Sequence, residues 1–129
     1  MEFFASLPRR TDAETLRSAL TVASLPQWCA SVDEVVDDRG DTGTITCVWG
    51  EFEVARQAIR GGVRFTLPSC PNAFAWTVTT GLPPDPDAVV VHATINRPDH
   101  DPDFVESLEE FVADWRHGLA AGLEPPPAP

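Results

Sequence analysis

Asp99-His100-Asp101-Pro102-Asp103-Phe104-Val105-Glu106 is the stretch where the chain changes period. Beyond it Phe104, Val105, Leu108, Phe111, Val112, Trp115, Leu119 and Leu123 recur at the spacings of one helical face, and Asp103, Glu106, Glu109, Glu110 and Asp114 fall on the other. Asp101 suits the N-cap and Pro102 the first helical position, with acids complementing the positive end of the helix dipole. Just upstream, Val89, Val91, Ala93 and Ile95 alternate as a strand. A strand running into a long acidic helix predicts an α+β domain whose closing helix packs its apolar stripe across a sheet.

Working back, Phe74, Trp76 and Val78 alternate as another strand, and Leu82-Pro83-Pro84-Asp85-Pro86-Asp87 joins the two as a stiff loop. Around Gly61-Gly62, a three-residue loop Arg60-Gly61-Gly62 sets Ile59 against Val63 and Ala55 against Leu67. This leaves Arg56, Arg64 and Thr66 together on the opposite face. Residues 32–37 and 42–49 flank Asp38-Arg39-Gly40-Asp41 as a hairpin, and a change of inward parity near Gly50 predicts a bulge or bend. Thr11-x-x-Glu14 reads as a capping box that opens a first helix with Leu16, Ala19, Leu20 and Ala23 on one side, ended by Pro26. The expected architecture is thus an N-terminal helix, an antiparallel sheet of about six strands and a long C-terminal helix. Residues 1–123 form the single domain, and 124–129 are a disordered Pro-rich tail.

Composition bounds the function. The chain has 129 residues, 43% of them hydrophobic, and four Trp, enough for one core. Its net charge is -11, and all nine basic side chains are Arg, which fits either a coding bias or a salt-adapted proteome. An acidic surface repels phosphate, so nucleic acid is not an expected partner. No apolar run suits a membrane span, and the start lacks the basic, apolar make-up of a signal peptide, so a cytoplasmic protein is expected. Three cysteines without a paired spacing fit reduced thiols.

No motif of established chemistry is present. Asp99, Asp101, Asp103 and Glu110 match four positions of a calcium loop, but the position that requires Gly is Phe104, and the helix has already begun. Cys29, Cys47, Cys70 and His92 lack the short spacings of a zinc set. Cys70 with His92 would serve as nucleophile and base only if folding joined them, and Ser69-Cys70-Pro71-Asn72 reads first as a turn. No metal or cofactor is expected. Arg56, Arg60 and Arg64 would grip a carboxylate or phosphate from one hairpin face unless Glu51 and Glu53 neutralise them. His92 shares its parity with Val90 and Thr94 and faces away from Val91.

The element order resembles two families. With Phe3 and Phe4 as an opening strand, it is similar to a small helix-grip (START-like) domain. That resemblance implies a closing helix across a curved sheet with a ligand between them, here lined by Trp49, Trp76, His92, Arg56 and Arg64, in a small-molecule binder or cyclase-like enzyme. Read from Thr11, it resembles the class I type III secretion chaperones, whose late strand runs into an acidic final helix. That pattern also has a helix between central strands, which 57–72 does not offer. The like-charge pairs Glu106/Glu110 and Glu110/Asp114 each cost roughly 0.2–0.5 kcal/mol, so local stability does not account for this face. The leading expectation is a non-catalytic protein-binding or regulatory domain, adaptor- or chaperone-like. It would meet a protein partner with a basic surface through Glu106, Glu109, Glu110 and Asp114, and association with a second copy is compatible with this reading.

Overall fold

Alternation from the first residues of the chain adds an edge to the sheet. The computed structural model describes residues 1–123, in the order β1 (Glu2–Leu7), α1 (Ala13–Ala19), α2 (Leu25–Trp28), β2 (Val32–Asp38), β3 (Thr42–Cys47), β4 (Gly50–Ile59), β5 (Gly62–Thr66), β6 (Ala75–Thr80), β7 (Val89–Thr94) and α3 (Pro102–Gly122). The tail expected at 124–129 lies outside the described residues. All neighbours are antiparallel in one seven-stranded sheet ordered β1-β7-β6-β5-β4-β3-β2. The opening strand, paired Phe3 to Ala93 and Leu7 to Val89, distinguishes the helix-grip outline from the chaperone one.

One face of the sheet carries the core and the helices. Phe3, Leu7, Val54, Val63, Phe65, Trp76, Val78, Val91 and Ala93 are buried beneath Leu16, Leu20, Leu108, Phe111, Trp115 and Leu119. Asp101 caps α3 by accepting from the Asp103 backbone N–H at 2.9 Å, and Pro102 opens the helix, as the sequence predicts. Among the described residues no helix lies on the other face.

Four local expectations are corrected. The α1 N-cap is Asp12, not Thr11; its carboxylate accepts from the Thr15 N–H at 2.7 Å, which holds its pKa below the ordinary value. Pro26 does not end the first helix, which stops at Ala19; it sits in the first turn of α2, where its missing N–H costs nothing. The parity change near Gly50 is no bulge. Val48-Trp49 is a turn between two strands, with Cys47 opposite Gly50 and Gly50 in the left-handed region at φ +117. The β4–β5 loop is Arg60-Gly61, because Gly61 takes the left-handed position (φ +85). Ile59 therefore faces Gly62, Ala58 faces Val63 and Arg56 faces Phe65, so Arg56 lies on the core side and Arg64 on the uncovered side.

Arginines tie the layers together through backbone carbonyls. Arg56 reaches under α1 and donates to Leu20 O (2.6 Å) and Arg17 O (2.5 Å), satisfying the carbonyls that a helix C-terminus leaves free. Arg9 does the same for α3, at Leu123 O (2.7 Å). Arg17 donates to Ile59 O (2.7 Å), and Arg116 to Ser6 O (2.8 Å).

Helix α3 crosses α2 at two glycines. A Cβ on Gly118 would stand 1.9 Å from Trp28 O, and one on Gly122 would meet the Trp28 ring at 2.5 Å. Gly118→Ala must push the helices apart, and overpacking of this kind costs about 1–3 kcal/mol. Phe111→Ala instead opens a cavity at mid-stripe, at about 3–5 kcal/mol. Urea denaturation should show both losses. An unchanged midpoint for either variant would mean that α3 does not close over the sheet.

Candidate functional site

Between sheet and α3, aromatic rings fill the space where a ligand would lie. Trp76 stacks on Phe65 with centroids 5.2 Å apart and meets the edge of Phe111 at 4.9 Å; Phe74 is 5.0 Å from Phe111 and Trp115 is 6.1 Å from Phe65. Near the start of α3 a cavity of about 90 Å³ stays open, lined by Trp49, Phe52, Leu67, Cys70, Phe74 and Phe104. Ligand pockets usually hold about 300–1,000 Å³. Trp49, half-buried at this mouth, donates from Nε1 to Ser107 Oγ at 2.8 Å.

The five residues expected to line that pocket do not converge. Trp76 is buried in the stack, Trp49 is at the mouth, and Arg56 is beneath α1. Arg64 and His92 are on the far face, because the strand register gives them the opposite parity to Phe65 and Val91. Glu53 is engaged by Arg39, and Arg56 by Asp41 at 3.1 Å.

Cys70 and His92 are likewise separated by the sheet. The Cys70 turn joins β5 to β6, with Cys70 N–H donating to Leu67 O (3.0 Å) and Ala73 N–H to Cys70 O (3.0 Å). His92 Nε2 lies 2.9 Å from Glu2 Oε1. Among the described residues no three His, Cys, Asp or Glu side chains form a metal-holding group. Burial pushes the Cys29 thiol up to about 12 and raises that of Cys47, so both are held in the unreactive protonated form.

The acidic face of α3 divides. Glu106, Glu109 and Glu110 are exposed, whereas Asp114 is half-buried and accepts from Ser31 Oγ at 2.6 Å. Glu109 borders an open groove of about 500 Å³ between the β1 edge and α3, against Phe3, Ala5 and Arg116.

The uncovered sheet face presents a feature that alternation alone did not reveal. Phe4, 61% exposed, lies parallel on the His92 ring at 4.3 Å, and pairing continues this row through Thr77 and Arg64 to Gln57. In the next row Val90, Thr79 and Ile59 form the floor of a groove of about 360 Å³, with Leu82, Pro83 and Pro84 as its wall and Arg60 on its lining. Its sequence signal was the outward parity of Val90, an apolar residue on a face otherwise rich in Thr and charge; Ile59 joins it only through the observed register with Gly62.

No protein-family model and no curated protein matches the chain. Among solved structures it is similar to the protein XoxI from Bacillus cereus (12% identity, TM-score 0.66, covering 95% of this chain and 96% of that one). It is also similar to an uncharacterized protein from Bacillus thuringiensis (10% identity, TM-score 0.59, covering 93% and 99%). At these identities the likeness is one of fold. No helix among the described residues is long and apolar enough to cross a membrane.

The thiols supply a test. Alkylation of the folded protein at mildly alkaline pH should label Cys70 and spare Cys29 and Cys47 until denaturant is added; rapid labelling of Cys29 would contradict the packing. The folded Cys29 thiol stays protonated up to about 12 whereas its ordinary value is 9.0, so in that window the unfolded chain binds fewer protons and stability falls as pH rises. Cys29→Ala should flatten the fall seen in denaturation midpoints; equal slopes would show an unperturbed thiol.

Proposed function

We propose that this chain is a non-catalytic protein-binding domain that meets a basic partner through Glu106, Glu109 and Glu110 of α3, with Asp114 adding its charge from the position fixed by Ser31. The observation that carries this reading is the aromatic filling of the interior: the rings leave a cavity of about 90 Å³ at the start of α3, and the larger space against that helix is the open groove beside Glu109, so recognition falls to the outer surfaces. The acidic face supports it. Glu106 and Glu110 stand one turn apart and are both exposed, and this arrangement disfavours the isolated helix while raising the local negative potential. Such a field speeds encounter with a basic surface and rejects acidic ones.

Replacing Glu106, Glu109 and Glu110 by Gln is the experiment. Relief of like-charge repulsion should raise stability by about 0.2–0.5 kcal/mol per pair, which shows that the variant folds. With a partner captured by the native chain and then purified, association with the variant should be slower by about tenfold or more at low ionic strength, and its rate should lose its salt dependence. Equal rates and equal salt dependence for the two proteins would overturn the proposal.

A further inference from the structure

We propose that the uncovered face of the sheet carries a second, independent site that binds a small monoanionic carboxylate with an aromatic or branched apolar body. Three observations on the same patch lead there.

The first is shape. The groove is about 360 Å³, four times the cavity beneath α3 (about 90 Å³), and lies on the opposite side of the sheet. Its wall is held from two directions. Thr80 Oγ1 donates to Ala88 O at 3.0 Å, closing the neck of the 81–88 loop, and Thr80 N–H donates to Gly61 O at 2.9 Å, fastening that loop to the β4–β5 turn. Leu82 lies directly over Gly61, where a Cβ would stand 2.9 Å from its Cδ1. Leu82 with Pro83 and Pro84 therefore forms a wall with little entropy to lose on binding.

The second is chemistry. The floor of Val90, Ile59 and the Thr77 and Thr79 side chains, with the Phe4–His92 stack beside it, offers apolar surface to a flat or branched body.

The third is charge. Arg9, Arg17, Arg56 and Arg116 are spent on backbone carbonyls, and Arg10 and Arg39 pair with carboxylates. Arg60, on the groove, and Arg64, next to Thr77 across the β5–β6 ladder, have no hydrogen bond or ion pair among the described residues. In a chain of net charge -11 with nine cationic side chains, two unneutralised guanidiniums beside one apolar groove are matched by an anion, which a guanidinium can hold bidentately. Asp85, the one acid on the lining, accepts from Asp87 N–H at 3.3 Å, and its charge disfavours a dianion. That selects a carboxylate over a phosphate monoester.

The test is an amide-resolved NMR titration of the full chain with 2-naphthoate, phenyl phosphate and 2-naphthylmethylamine. Naphthoate should shift Thr77, Thr79, Val90 and Gly81; phenyl phosphate should bind more weakly, and the amine should leave these signals in place. Arg60→Gln should weaken naphthoate by about tenfold, and the Arg60→Gln/Arg64→Gln double variant by more. Both positions are exposed, so the variants should keep the native spectrum. The Glu106, Glu109 and Glu110 to Gln variant should bind naphthoate unchanged, which separates this site from the acidic face of α3. Shifts centred on Trp49 and Cys70, equal affinity in the double Arg variant, equal binding of the amine, or no shift up to the solubility limit of naphthoate would each overturn the proposal.

Discussion

The packing of Phe111 and Trp115 of α3 onto Trp76, Phe65 and Phe74 is the interaction on which the rest depends. These five residues are among the largest fully buried side chains, and they join the last helix to the middle strands of the sheet. Trp76 Nε1 and Trp115 Nε1 are buried without a hydrogen-bond partner among the described residues, at a cost of about 1–3 kcal/mol each. A core that tolerates this relies on area and ring geometry rather than polar satisfaction. The same rings occupy the place where the helix-grip outline leads one to expect a ligand. Function, on this account, moves to the outside of the molecule.

Charge placement follows from the same closure. A chain with nine arginines against twenty acids can spare few cations, and it spends most of them on structure. Arg9 and Arg56 each reach the carbonyls at the C-terminus of a helix, where a cation also meets the negative end of the dipole. The acids have no such uniform employment. Asp12 and Asp101 cap helices and Asp114 holds Ser31, while Glu106, Glu109 and Glu110 stay in solvent. Exposed Glu106, Glu109 and Glu110 thus stand on α3, while Arg60 and Arg64, without a hydrogen bond or ion pair among the described residues, stand across the sheet on a face that also carries Glu2, Glu51 and Glu53.

Periodicity made the layers legible, and pairing hid the site. Residues 99–123 announced the closing helix, its cap and its buried stripe, and the parities of Trp76, Val91 and His92 gave the correct faces. The errors came where a single residue of register decides everything. Placing the turn at Arg60-Gly61 instead of Arg60-Gly61-Gly62 moves Arg56 from the surface to the underside of α1, and no local pattern distinguishes the two. The second helix was missed because Pro26, a plausible terminator, also serves as a first-turn residue. The capping arginines were illegible for a different reason. Arg9 and Leu123 are 114 positions apart, and only the fold brings them together.

The central claim, that the space between sheet and α3 is filled, is tested most directly by xenon binding followed on the methyl NMR signals of the folded chain. Xenon enters apolar voids and shifts the methyls that line them. The account predicts, on the helix side, shifts confined to the small cavity at Leu67, with Val78, Leu108 and Leu119 unmoved. Xenon-dependent shifts at those three core residues would reveal an internal pocket and contradict it.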